Sequence, residues 1–131
     1  MPTSPNRLLA TIVGAVYLAV GLLGLLVASH GLLFGVLEVN LAQDLLHLVV
    51  GVALLVAGLT GRGARTANTT AGTFFLVLGI FGLFVAGTAA NVLALGPVDH
   101  VLHFGSAVFL LCVGLGTETT DRPALAREGS R

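Results

Sequence analysis

Uninterrupted apolar runs, with no alternation and no polar stripe, dominate this chain. Leu8 to Ala28 and Ala71 to Ala90 contain no ionisable group except Tyr17. Each run is about 20 residues, enough at about 1.5 Å per residue to cross a hydrocarbon core of about 30 Å. Two shorter runs, Leu41 to Leu59 and Val98 to Gly116, begin with polar residues. The pattern predicts an all-α polytopic membrane protein with four transmembrane helices. Composition agrees: the 131 residues are 56% hydrophobic and 9% charged, whereas soluble domains carry about 25% charged residues. The mean hydropathy is +1.02. A soluble core would need polar helix faces that these runs lack, so the lipid bilayer is the expected solvent.

The four runs fall into two related pairs. Gln43 to Leu59 aligns with Asp99 to Leu115: Leu46, His47, Val52, Leu54, Leu55, Gly58 and Leu59 meet Leu102, His103, Val108, Leu110, Leu111, Gly114 and Leu115. Gly14, Leu18, Gly21, Gly24, Leu25, Val27 and Ala28 of span 1 likewise match Gly72, Leu76, Gly79, Gly82, Leu83, Val85 and Ala86 of span 3. The reading is two tandem helical hairpins, about 8–61 and 66–116, as parallel repeats about an axis along the membrane normal. The offset falls by two residues between the alignments, so the second hairpin loop should be that much shorter. Gly14, Gly21, Gly24, Gly72, Gly79, Gly82, Gly51, Gly58 and Gly114 are the expected helix-packing residues, because close packing, with no hydrophobic effect to help, holds helices together in lipid. Spans 1 and 3 are expected at the centre of the bundle, packed through their glycines.

Charge placement orients the chain. All six basic residues are arginines: Arg7 before span 1, Arg62 and Arg65 between spans 2 and 3, and Arg122, Arg127 and Arg131 after span 4. The positive-inside rule puts both termini and the middle loop in the cytoplasm. Residues 1–7 read as a short lead, 8–116 as the membrane domain and 117–131 as a polar, disordered tail. A Lys-free composition rich in Gly, Ala, Val and Leu points to a bacterial plasma membrane. The first run is too long for a signal-peptide core and has a repeat partner, so it is expected to remain as a helix. Cys112 reads as a small buried hydrophobe within span 4.

Chemistry concentrates at the opposite end. His30, His47, His100 and His103 all fall on the predicted outer side, with Glu38, Asp44 and Asp99. His47 and His103 lie on small-residue stripes at matching depth, facing neighbouring helices. Asp44 and His47, and His100 and His103, are i, i+3 pairs on one helix face. Asn40 followed by Gln43 reads as an N-cap with a reciprocal partner, and Pro97 suits a first helical turn. Several uses of the cluster stand open: an interhelical polar clamp, a transition-metal site of Asp44, His47, His100 and His103, haem between His47 and His103, or proton or small-solute passage. No nucleophile–base arrangement, P-loop or dinucleotide glycine pattern is present, and no basic stripe for nucleic acid. The expected role is therefore non-enzymatic, a structural or partner-binding membrane component that binds another membrane protein or itself.

At Glu38-Val39-Asn40, at Asp44-Leu45-Leu46-His47-Leu48-Val49-Val50-Gly51 and again at Asp99-His100-Val101-Leu102-His103, the chain resembles the small four-span bacterial membrane proteins known as domain of unknown function 4383. The resemblance covers about residues 8–116. It implies a tandem of hairpins with an Asn and an N/D-x-x-H element heading the even helices, and it implies no activity. The second copy departs from that pattern, with His100 where Asn or Asp is usual and Gly96, not an Asn, directly before Pro97.

Overall fold

The structure, a computed structural model, describes residues 4–27 and 30–116. The predicted tail, 117–131, lies outside them. The elements run α1 (Pro5–Val27), β1 (His30–Leu33), β2 (Leu37–Asn40), α2 (Leu41–Thr60), α3 (Ala64–Val85) and α4 (Pro97–Gly116). All four helices are long and apolar enough to cross a membrane. This is the architecture of a multi-pass, all-helical membrane protein, with one short β-hairpin joining α1 to α2.

Two helices begin earlier than apolarity alone implies. The lead becomes helical at Pro5, whose fixed φ suits the first helical position, while the Ser4 carbonyl accepts the Leu8 N–H. The stretch from Thr60 to Thr70, expected as a loop, is helical from Ala64 onward. Gly61 and Gly63, at φ 73° and 65°, make the whole reversal between α2 and α3. The polar residues that follow stay helical because their side chains find backbone carbonyls. Thr69 Oγ1 donates to the Arg65 carbonyl and Thr73 Oγ1 to that of Thr69. The far end of α3 stops at Val85, short of the predicted Ala90. Gly87 adopts φ 73° and Thr88 Oγ1 donates to the Val85 carbonyl at 2.7 Å.

The packing corrects the expectation that spans 1 and 3 form the centre. α1 lies along α2 and α3 along α4, and the two hairpins meet over a smaller area. The glycines explain it, because each opens its own hairpin. A Cβ on Gly14 would meet the Gly51 carbonyl oxygen at 2.9 Å, and one on Gly51 would meet that of Gly14 at 3.0 Å. Gly21 faces Leu48, Gly24 the Asp44 carboxylate and Gly58 Thr11. In the second hairpin Gly72 faces Leu110 and Leu111, Gly79 Phe104, Gly82 His100 and Gly114 Thr69. α1 keeps a broad lipid-facing side, including Leu8, Ile12, Val16, Leu22 and Leu26.

Arginines close one end of each hairpin. Arg7 donates from Nε to the Gly58 carbonyl and from Nη2 to that of Leu59, and Arg65 Nε donates to the Gly114 carbonyl at 2.9 Å. Cations here satisfy orphan carbonyls at the C-termini of α2 and α4. The opposite end is covered by the β-hairpin. His30 pairs with Asn40 and Leu33 with Leu37 in antiparallel register, around a turn in which Phe34 and Gly35 take positive φ. Leu33 and Val39 point into the bundle and are buried. The loop between α3 and α4 is two residues shorter than that between α1 and α2, the difference anticipated from the alignments. It is tied to the hairpin by Asn40 Nδ2, which donates to the Val92 carbonyl at 2.9 Å.

Candidate functional site

α2 and α4 each begin just beneath this β-hairpin cover, and each carries its inner histidine at the same position, the seventh residue. That places both about 9 Å along the helix from its start. Asn40 caps α2, its side chain accepting from the Gln43 N–H at 2.9 Å. The expected reciprocal bond from Gln43 is not made. Instead Gln43 Nε2 crosses to α4 and donates to Asp99 Oδ1 at 2.6 Å. Asp99 Oδ2 accepts from the Gly96 N–H at 3.1 Å, so this carboxylate caps its own helix while binding the other. Gln43 and Asp99 are both fully buried.

One turn deeper, four rings close a circuit. Tyr17 stacks on Phe75 with centroids 4.6 Å apart, and Phe75 stacks on His103 at 5.3 Å. His103 lies 5.9 Å from His47, which makes a T-shaped contact with Tyr17 at 5.2 Å. Each of the four helices contributes one ring. The Tyr17 hydroxyl donates to Ser106 Oγ at 3.0 Å. His47 and His103 are 1% and 0% exposed, and none of their four nitrogens has a hydrogen-bond partner among the described residues.

The four metal candidates do not converge. Asp44 turns its carboxylate onto the backbone of Gly24, and His100 lies over Gly82 beside Leu95, so only His47 and His103 face one another. Among the described residues no group of three or more His, Cys, Asp or Glu side chains could hold a metal ion. The physical reason is the small residues on the odd helices: each glycine opens a berth that draws its polar neighbour away from the shared centre. Haem between the histidines does not fit either. A porphyrin needs a slot extending well beyond its axial rings, and here the stacked Tyr17 and Phe75 fill the space beside the histidine pair.

Both even helices thus carry a polar residue one turn ahead of a buried histidine, under a segment headed by Asn40. The chain belongs to the family of domain of unknown function DUF4383, whose model matches residues 7–116. No curated protein and no solved structure matches it.

In this DUF4383 chain, three partners in the site escaped the sequence reading: Gln43 as the ligand of Asp99, Phe75 as the ring between Tyr17 and His103, and Ser106 as the acceptor for Tyr17. A signal for the first two was available. Gln43 and Asp99 are matched by the same internal alignment that pairs His47 with His103, and Tyr17 falls opposite Phe75 in the alignment of spans 1 and 3.

At the other end of the bundle, Asn68 is fully buried on α3. Its Nδ2 donates to both the carbonyl and the Oδ1 of Asn6, at 3.0 and 2.9 Å, tying the start of α1 to α3.

Proposed function

We propose that this protein is a non-enzymatic structural or partner-binding component of a bacterial plasma membrane, built from two tandem hairpins with both termini in the cytoplasm. The observation that carries partner binding is an apolar groove of about 250 Å³ between α2 and α3, lined by Val49, Val50, Ala53, Leu54, Ala67, Thr70, Ala71 and Phe74. Ala67 and Ala71 are one turn apart and Ala53 faces them across the groove. Small residues in this arrangement admit the backbone of another transmembrane helix, from a second copy or a different membrane protein. The duplication is supported by the contacts between the hairpins: Gln43 bonds Asp99, His47 faces His103, and Tyr17 stacks on Phe75, each residue meeting its own alignment partner.

Photo-cross-linking from Thr70, on the exposed side of the groove, tests the partner reading in native membranes. A defined adduct that disappears in Ala71→Phe supports it; a chain that stays monomeric and uncross-linked refutes it. Orientation is tested by cysteine labelling of intact cells. Val36→Cys should react from outside and Thr66→Cys should not. Thr66 is the informative inner position because neighbouring Ala64 is only 4% exposed and would be silent on either side.

A further inference from the structure

An unpaired polar group in the interior of a membrane protein costs several kcal/mol. His47 and His103 present four such nitrogens within one small space. A direct N–H···N bond would bring two of them to about 2.9 Å, and none forms. Tyr17, the one neighbouring ring with a hydroxyl, has committed its proton to Ser106. A single shared occupant would use one nitrogen of each ring. Metal–imidazole bonds of about 2.0 Å would hold the two nitrogens about 4 Å apart. A centroid separation of 5.9 Å leaves room for that spacing when one nitrogen of each ring is turned to the other.

We infer that His47 and His103 form a two-coordinate site for a monovalent soft cation of the Cu(I) type. The proposal is independent of the partner-binding reading above. Three features select this class of ion. Among the described residues no third His, Cys, Asp or Glu joins the pair to complete the four-coordinate shell that zinc takes. Both ligands are neutral imidazoles, each keeping its proton on the nitrogen not used, so a single positive charge suits a dry interior better than two. The rings against the pair, Tyr17 and Phe75, bring no anionic ligand to balance a second positive charge. The ion would lie where the two hairpins meet, one ligand from each.

The test uses the full chain purified in detergent and titrated anaerobically with Cu(I) against a chromophoric Cu(I) chelator. Ag(I), counted by elemental analysis after desalting, serves as the redox-inert analogue. One ion per chain is expected, with an X-ray absorption spectrum of two nitrogen ligands. His47→Leu and His103→Leu should each weaken retention by more than about 100-fold, beyond what outer-shell changes cost. Cys112→Ser and His100→Ala should retain it; Cys112 is the competitor to exclude, since its thiol, expected to be buried, is exposed on α4. Absence of stoichiometric binding by the parent chain would overturn the proposal, leaving a bridging water as the occupant. So would sulfur in the ligand shell, loss of binding in Cys112→Ser, or undiminished binding in His47→Leu. Should a leucine variant fail to fold, the ligand set in the parent's own spectrum decides.

Discussion

Substituting alanine for Gly51 tests the claim that each hairpin is held by backbone contact. A methyl group there would lie 2.5 Å from the Leu18 nitrogen, 2.9 Å from its Cα and 3.0 Å from the Gly14 carbonyl oxygen. All three are backbone atoms of α1, so no rotamer change relieves the clash and the two helices must separate. Overpacking of this kind costs about 1–3 kcal/mol, and an obstacle made wholly of backbone argues for the upper end. Gly79 is the internal comparison: its added methyl would meet Phe104 ring atoms between 2.9 and 3.2 Å, a side chain that can shift. Gly79→Ala should therefore cost about 1 kcal/mol. Gly105 is the control, with no atom within 4 Å of an added Cβ, so Gly105→Ala should be neutral or slightly stabilising. Equilibrium unfolding in mixed detergent micelles should rank Gly51→Ala well below Gly79→Ala, and that below Gly105→Ala. The two extremes should differ by about 100-fold or more in the folded-to-unfolded ratio. Equal stabilities for Gly51→Ala and Gly105→Ala would refute backbone-to-backbone packing of α1 on α2.

Two further outcomes follow from the hydrogen bonds. Gln43→Leu leaves Asp99 Oδ1 buried without its donor and should cost about 1–3 kcal/mol by the same assay, while Gln43→Leu combined with Asp99→Leu should cost less than the sum of the single changes. Arg7→Ala and Arg65→Ala each expose helix C-terminal carbonyls and should cost about 0.3–1 kcal/mol; lysine at either position should recover part of the loss, and full stability in both alanine variants would count against the caps.

The spans were legible because lipid imposes length and apolarity, and Leu41 and Gly116 were found as element ends. Boundaries failed where polar residues continue a helix: Arg65, Asn68 and Thr69 look like a loop until their carbonyl acceptors are seen. The β-hairpin was missed because its strands are short and half apolar, although Gly35 between Leu33 and Leu37 carried a turn signal. Histidine depth could be counted from helix ends, and the meeting of His47 with His103 follows from it. Where Asp44 and His100 point could not be counted, since it depends on which neighbouring helix offers a glycine. The stripes of span 1 and span 3 gave the packing surfaces correctly but named the wrong partners. Periodicity identifies a face, and only the fold tells which helix lies against it.

The bond between Gln43 and Asp99 also bears on self-recognition. If the first hairpin met another copy of itself in the same way, two Gln43 side chains would face each other; if the second did, two Asp99 carboxylates would be forced together in a medium that cannot screen them. Joined as they are, donor meets acceptor. Two hairpins of identical sequence would have no such preference. Two glutamine amides could still pair, each offering donor and acceptor, but with an acid in its place the second hairpin fits the first better than it fits a copy of itself. The chain therefore closes on itself as a matched pair, and its second hairpin is biased against pairing with a second copy of itself.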